Sequence, residues 1–386
     1  MASRTRRHAE AGPARGRDAS RPTQIPARGW LDILYRTVKE FSNDRVTLVA
    51  AGITFYLLLA LAPTLAAFVS IYGLFFDPGS ISEQVAALSG VLPGGAMDIL
   101  TEQLERLASA DQSTLGFAFA LSLGLALWSA NAGMKALFQG MNVAYNEVEK
   151  RGFIKLTLTT LTITILTLVT IIGLIAFNVA FGSLTALTGL DLPNWILNTV
   201  TGVVALIALI AFMAALYRFG PSREDARVEW ITPGAIVAGL LIVAVSAAFT
   251  FYVANFGTYN ETYGSLGAII GFLTWLWLTM IVLLLGGELN SEMEHQTARD
   301  TTTGEPQPLG QRNAVMADRV GARYGAKGGD AADPGNFQAD RGARERDGRQ
   351  PHGRGGTALR GPRRPSPLGL ALLVGAVGVA IATRGR

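Results

Sequence analysis

The feature that most constrains this chain is a long central stretch with very few charged residues. Of the 62 Asp, Glu, Lys and Arg residues, only 21 lie in the 242 residues from 46 to 287. An average soluble protein carries about 25% charged residues, so a water-soluble domain of this length would lack a charged surface. The sequence therefore predicts a membrane-embedded core between two polar ends.

Six charge-poor windows in this core are long enough to cross a membrane. A helix needs about 20 apolar residues to span the hydrocarbon layer, and continuous apolar runs favour helices over the alternating strands of a barrel. We therefore predict an all-α integral membrane protein, a six-transmembrane-helix bundle. The predicted spans are about 46–75, 113–133, 156–181, 196–217, 233–256 and 263–287.

The segments that precede, join and follow these spans are alternately rich and poor in Lys and Arg. Ten lie before the first span, four between the second and third, three between the fourth and fifth, and 15 after residue 288. The segments of the opposite side carry only Arg106. Because cytoplasmic segments are enriched in Lys and Arg, we expect both the N- and C-terminal ends of the core to be cytoplasmic.

The chain outside this core divides into three further segments. The membrane domain is assigned to 30–295. A basic N-terminal segment, 1–29, and a tail rich in Gly, Arg and Asp, 296–366, are both predicted to be disordered, because they contain few large apolar residues. The apolar segment 367–383, with its continuous run at 368–382, is either a seventh C-terminal helix that spans the membrane or an interfacial anchor.

The residue types that carry metal, redox and hydrolytic chemistry are scarce. The chain has no cysteine, and none of its three histidines lies in the apolar core. Disulfides and Cys-ligated metals are therefore excluded, and we expect no cofactor, no metal site and no catalytic residue. The expected partners are the lipid bilayer and anionic headgroups at the cytoplasmic face, with no specific nucleic acid. A homo-oligomer and the identity of a substrate stay open.

Polar residues in and beside the spans are the candidates for function. No Asp, Glu, Lys or Arg lies well inside a span, so ion coupling would have to use groups at the inner mouth. The helix that follows the second span carries a polar face, which is either solvated or part of a conduit. The candidate conduit residues are Pro63, Tyr56, Asn131, Lys135, Asn142, Asn178, Glu288 and Asn290.

Several of these candidates have structural interpretations as well. Asn178 lies on an otherwise apolar helix, where an amide most often forms a helix–helix hydrogen bond. Pro63 removes a backbone donor and is expected to kink the first span. Lys135 and Glu288 both lie near the cytoplasmic boundary, where they either form an ion pair or occupy separate positions.

Threonines and small residues form two further patterns. Four threonines of the third span share a helical face, which either packs against a neighbour or forms the wall of a polar path, since threonine can bond a carbonyl of its own helix. Small residues spaced four apart in the second and sixth spans predict close helix contacts. The threonines are Thr157, Thr160, Thr164 and Thr167, and the small residues are Gly116, Ala120, Gly124, Gly267 and Gly271.

Three stretches of the core resemble motifs of the YihY/BrkB family of bacterial inner-membrane proteins. They are AAGITFYLLLALAP from Ala50, a stretch that runs from the WSA at Trp128 to the RGF at Arg151, and a stretch that runs from the YGSLGA at Tyr263 to LGGELN at 285–290. The resemblance covers about 30–295. It implies a multi-pass six-helix protein of the bacterial cell (inner) membrane, in a family once labelled ribonuclease BN. One branch is named for serum resistance and virulence.

The residues do not support a ribonuclease. Hydrolysis of RNA needs general acid and base groups or a bound metal, and the core offers only the acidic end of its last span, at 288–295. We therefore expect that the protein is not an enzyme. The favoured function is a transport, channel or lipid-handling role in the cell envelope. The alternative is a non-enzymatic membrane scaffold or a virulence-type envelope factor, and a membrane hydrolase comes third.

Overall fold

The computed structural model describes residues 15–75, 101, 117–188, 193–256 and 265–324. Within these ranges the chain forms seven α-helices, a short 3-10 helix at Pro22–Gln24, and no β-strand beyond an isolated bridge between Ala226 and Thr302. The helices are α1 (Ala27–Asn43), α2 (Val46–Tyr72), α3 (Phe117–Ala144), α4 (Phe153–Leu187), α5 (Asn194–Phe219), α6 (Val228–Phe256) and α7 (Ser265–Glu294). The predicted segment 367–383 lies outside the described residues.

Five of these helices are long and apolar enough to cross a membrane, namely α2, α4, α5, α6 and α7. The remaining predicted span, 113–133, falls partly in α3, which has 28 residues but is not among these five. Its first half is apolar and its C-terminal half carries Lys135 and several amides. The structure thus confirms an all-α membrane protein for the part of the chain that it describes.

The six long helices pack as a ring. Each helix contacts the next in the order α2, α3, α4, α5, α6 and α7, and α7 contacts α2 again. The ring is crossed as well, since α7 also contacts α3, and Phe68 of α2 and Leu168 of α4 belong to one buried apolar cluster. The seam between α4 and α5 has the sparsest contact in this ring. A hydrogen bond crosses it from Asn178 Nδ2 to Thr201 Oγ1, at 3.3 Å, as the structural interpretation of Asn178 predicted.

One end of the ring is closed by two polar segments, residues 15–26 and 295–324, which we call the cap. Arg17 donates to the carbonyls of Gln296 and Gly321, at 3.2 and 2.7 Å. Arg312 is 4% exposed and donates to the carbonyls of Ala298, Arg299 and Ala317. The predicted disorder of 1–29 and 296–366 is therefore wrong for 15–29 and 296–324, because arginine side chains that bond backbone carbonyls order a segment with few large apolar residues.

Helix α1 lies against the capped end with its polar side inward. Asp32 and Arg36 are buried, while a stripe of apolar residues on the opposite face is exposed. The buried polar face is held by the cap, since Asp32 accepts hydrogen bonds from Arg15 Nη1 at 2.6 Å and from the backbone N–H of Tyr324 at 2.8 Å. The exposed stripe comprises Leu31, Leu34, Tyr35 and Val38.

Glycines allow the closest helix contact of the described ring, between α6 and α7 near the capped end. A Cβ added to Gly286 would collide with the Tyr217 hydroxyl and lie 2.8 Å from Ala238 Cβ, and one added to Gly234 would collide with the carbonyl oxygen of Gly286. By contrast, a Cβ at Gly124 or Gly271 would meet no atom within 4 Å. The predicted close contacts at Gly124 and Gly271 are therefore wrong within the described part of the chain, because no described atom lies near enough to touch a side chain at either position.

We expect Gly286→Ala to destabilise the protein by about 1–3 kcal/mol, since the new methyl group overpacks the contact with Tyr217 and Ala238. Gly271→Ala is the matched control in the same helix. It should leave the stability unchanged or raise it by up to about 1 kcal/mol, because alanine favours a helix over glycine. Thermal unfolding of both variants in detergent measures this difference, and equal midpoints would contradict the packing described above.

Candidate functional site

Two of the three carboxylates near the end of α7 form buried ion pairs at the capped end. Arg36 of α1 donates to Glu292, and Arg223, from the connection between α5 and α6, donates to Glu294 Oε2 at 2.7 Å. Thr301 of the cap donates to the same oxygen of Glu294, at 2.6 Å. The two glutamates are at most 1% exposed. Their pairing explains how these charges are tolerated away from water, since a buried charge needs a partner.

The third carboxylate, Glu288, has no cationic partner among the described residues. It is 1% exposed, and neither of its oxygens accepts a hydrogen bond from a described donor. Its polar neighbour is the carboxyl group of Asp44, in the turn between α1 and α2, which lies within hydrogen-bonding reach. Two carboxyl groups this close together without a cation cannot both ionise easily.

Burial is the main cause of the raised pKa of Asp44. Burial and the nearby carboxylates of Glu40 and Glu292 outweigh the hydrogen bond with Glu288 and raise the pKa of Asp44 to about 6. Asp32, on the preceding helix, behaves in the opposite way. Although burial opposes it, the bonds from Tyr324 and Arg15 lower the pKa of Asp32.

Lys135 occupies a position separate from Glu288. Its Nζ lies 5.3 Å from the ring centroid of Trp128 and 5.1 Å from that of Phe153, at the start of α4. No ion pair within the described ranges includes Lys135. Of the two arrangements that the sequence left open, the structure therefore shows separate positions.

Asn290 bonds the backbone of helix α6 on both sides of Pro233. Pro233 lies inside α6 and has no backbone N–H, which disturbs the helix hydrogen bonds around it. The Asn290 amide accepts a hydrogen bond from the N–H of Gly234 at 2.8 Å and donates one to the carbonyl of Ile231 at 3.0 Å. Asn290 is fully buried and both ends of its amide are used, so it holds α6 against α7.

Asn142 forms a second structural clamp. Its amide donates to Glu149 Oε2 at 3.0 Å and accepts from the N–H of Ser222 at 2.7 Å. Arg151 pairs with Glu149 and donates to the carbonyl of Gly220 at 2.6 Å. Although burial opposes it, the hydrogen bonds from Arg151 and Asn142 lower the pKa of Glu149 to about 2. This cluster joins the end of α3 to the start of α4 and the end of α5.

Asn131 lies in a buried polar stripe between α3 and α4. Its side chain is 1% exposed, and its Oδ1 is 3.5 Å from Thr164 Oγ1, whereas its Nδ2 has no partner among the described residues. The predicted threonine face is oriented toward the interior, since Thr157 and Thr160 are also buried. Several of these hydroxyls bond carbonyls of their own helix, for example Thr160 to Leu156 at 2.9 Å.

The remaining two candidates, Tyr56 and Pro63, lie apart from the capped-end contacts. Tyr56 is 48% exposed on α2 and its ring packs at 5.7 Å from that of Phe55. Pro63 lies within α2, which continues to Tyr72. Sequence reasoning missed Asp44, Arg36 and Arg223, because a charged residue before or between spans looks like an ordinary solvated one.

The described residues include no group of three or more His, Cys, Asp and Glu side chains that could hold a metal ion. The carboxylates of the capped end are instead engaged with arginines or with each other. Among the described residues, the buried side-chain atoms without a hydrogen-bond partner include Asn131 Nδ2, Thr157 Oγ1 and Tyr145 OH.

The fold and its polar capped end define a multi-pass membrane protein with a ring of helices and a buried charge network at one end. The sequence matches the family described as virulence factor BrkB over residues 37–310. The chain therefore belongs to the BrkB family. No solved protein structure matches it.

Several curated proteins are similar to this chain. A putative ribonuclease-like protein YfkH of Bacillus subtilis is 32% identical over 63% of this chain and 88% of its own length. A UPF0761 membrane protein of Alkalilimnicola ehrlichii is 27% identical over 76% of this chain and 66% of its own length. A UPF0761 membrane protein of Photobacterium profundum is 24% identical over 72% of this chain and 84% of its own length.

We expect replacement by asparagine to change the stability of the protein in opposite directions at Asp44 and at Asp32. A folded-state pKa of about 6 at Asp44, above the unfolded value of about 3.9, means that the native state binds more protons between these pH values. Its contribution to stability is therefore present below pH 4 and is lost as the pH rises through 6. Asp44→Asn should raise the unfolding temperature at pH 8 and flatten its pH dependence, because the new amide can donate to Glu288.

Asp32→Asn is the matched control and should lower the unfolding temperature at pH 8. The lowered pKa of Asp32 contributes stability above its unfolded value, and this stability is lost only as the pH falls through the folded value. Thermal unfolding in detergent from pH 4 to 8 compares the two variants. A destabilising Asp44→Asn at pH 8 would show that Asp44 and Glu288 do not share a proton.

Proposed function

We propose that this protein provides a path across the membrane for small uncharged solutes that form hydrogen bonds. The observation that carries the proposal is the Asn131 amide, which is 1% exposed and whose Nδ2 has no partner among the described residues. Leaving a buried donor unpaired costs about 1–3 kcal/mol. A solute or water molecule in the ring would satisfy this group.

The depth of the polar stripe supports the same function. Thr164, which faces Asn131, lies nine residues beyond Lys155 in α4, a distance of about 13 Å along a helix. With Lys155 at the boundary of a hydrocarbon layer about 30 Å thick, the stripe would lie near the middle of the membrane. Solute sites of many transporters lie at this depth.

The chemistry of the stripe favours uncharged solutes. It consists of an amide and threonine hydroxyls, and no Asp, Glu, Lys or Arg lies well inside a span. Such groups can exchange hydrogen bonds with a neutral polar solute but do not compensate a charge. We therefore propose facilitated passage without a coupled ion, and no hydrolytic reaction, because Glu292 and Glu294 are held by arginines.

For the topology, we propose that α3 also crosses the membrane, as the second of six spans, and that the capped end is cytoplasmic in the bacterial inner membrane. Cations from four separate parts of the chain meet at this end, as the enrichment of Lys and Arg in cytoplasmic segments requires. They include Arg36 before the first span, Arg151 between the second and third, Arg223 between the fourth and fifth, and Arg312 after the last.

Helix α1 supports contact with lipid headgroups at the same end. Its exposed stripe includes Leu31 (61%) and Val38 (70%), and Tyr35 packs at 5.1 Å from Tyr324, which is itself exposed. Arg28 and Lys39 are exposed and lie three turns apart along the edge of this stripe. Apolar and aromatic residues flanked by cations are typical of helices that lie in a membrane interface.

The transport proposal predicts that Asn131→Leu reduces passage and raises stability. In liposomes reconstituted with the full chain, osmotic swelling in glycerol and in urea should be faster than in empty liposomes. Asn131→Leu should slow the protein-dependent rate about tenfold, the effect of losing roughly one hydrogen bond. The same variant should unfold at a higher temperature, since the unpartnered amide is gone.

Asn178→Leu is the matched control for this experiment. Its amide already has a partner, so the variant should keep the swelling rate and lose about 0.6 kcal/mol of stability. A swelling rate equal to that of empty liposomes would refute the transport proposal and favour the scaffold. Scrambling of a fluorescent phospholipid without solute passage would favour lipid handling instead.

The orientation can be tested with single cysteines, because the chain contains none. The two variants are Arg299→Cys and Thr188→Cys. Arg299 is exposed in the cap, and Thr188 follows directly on the far end of α4. A membrane-impermeant maleimide should label the first only in inverted membrane vesicles and the second only in spheroplasts. The reverse pattern would overturn the proposed orientation.

A further inference from the structure

Lys135 is a cation on the outer side of the ring, with two exposed aromatic rings as its neighbours. Its Nζ lies 5.3 Å from the centroid of Trp128 and 5.1 Å from that of Phe153. These rings are 54% and 67% exposed. Within the described ranges Lys135 forms no ion pair, whereas Lys150 and Arg151 of the same region are paired with Glu147 and Glu149.

An open groove adjoins this cation at the start of α4. Its volume is about 640 Å³, and it is lined by Gly152, Phe153, Ile154, Lys155, Leu158 and Thr159. Its apolar side chains are strongly exposed, with Ile154 at 72% and Leu158 at 60%. Lys155 adds a second exposed cation. Phe153 joins the groove to the cation, since it lines the groove and the Lys135 ammonium group lies over its ring.

We propose that this groove binds an anionic phospholipid, with its phosphate between Lys135 and Lys155 and an acyl chain along Phe153 and Leu158. Neither cation has a carboxylate partner among the residues that the structure describes, and together they favour a ligand with net negative charge. The exposed apolar wall requires a hydrocarbon partner, which a soluble phosphate does not provide. Lysine and aromatic residues together are typical of the zone where headgroups meet hydrocarbon. The site does not depend on the transport proposal.

The binding of dioleoylphosphatidylglycerol to the full chain in detergent, followed by native mass spectrometry, tests this site. Lys135→Gln should weaken the binding of the first lipid about fivefold, as expected for one basic residue near an anionic lipid surface. Lys135→Arg keeps the charge and should bind the lipid within about twofold of the parent. Arg299→Gln removes one charge from the exposed cap and should have no effect.

Two further measurements keep the proposal falsifiable. Leu158→Asp places a negative charge in the groove at an exposed position and should also weaken binding, even if Lys135→Gln fails to fold. Glycerol 3-phosphate, the soluble headgroup, should not compete with the lipid, and dioleoylphosphatidylcholine should bind more weakly. Unchanged binding by Lys135→Gln or Leu158→Asp, competition by glycerol 3-phosphate, or equal binding of the two lipids would overturn the proposal.

Discussion

The buried ion pairs at the end of α7 are the interactions on which the capped end depends. Glu292 binds Arg36 of α1, and Glu294 binds Arg223 and Thr301. Each pair joins α7 to a different element, so α1, the connection between α5 and α6, and the cap are all tied to one helix. Removing one partner of a buried ion pair destabilises a protein more than replacing both partners by apolar residues, because the remaining charge stays away from water. The elements of this end are thus fixed together.

The rest of the ring is held by apolar packing and close backbone contacts. Near the capped end, glycines such as Gly234 and Gly286 bring α6 and α7 into backbone contact, and Asn290 compensates for Pro233. Further from the cap, α4 and α5 share the sparsest contact of the ring, crossed by the Asn178 hydrogen bond. Low contact density is where proteins open most easily. The far half also contains a buried apolar cluster, in which Phe68 and Tyr72 of α2 lie with Leu168 and Ile172 of α4.

The buried polar groups of the ring divide into satisfied and unsatisfied ones. Asn142 and Asn290 use both ends of their amides, and Glu292 and Glu294 are paired. These residues lie within or beside the stretches 142–153 and 285–290, where amides, charges and glycines make structural contacts. The YfkH relative carries a ribonuclease-like name, yet in this chain the acidic end of α7 is engaged in structural pairs. The proposed function rests instead on Asn131, whose Nδ2 has no partner among the described residues.

The sequence by itself determined the apolar helices, because a charge within hydrocarbon is so costly that charge-free windows mark the spans. It also determined the inward threonine face around Thr164, since the period of a helix fixes which residues share a side. Only the tertiary structure decided which polar residues contact one another. Arg17 meets Gly321 across almost the whole described chain, and Glu288 meets Asp44 and not Lys135. Small residues repeat on several faces, and only the packing of the ring decides that Gly286 meets a neighbour and Gly271 does not.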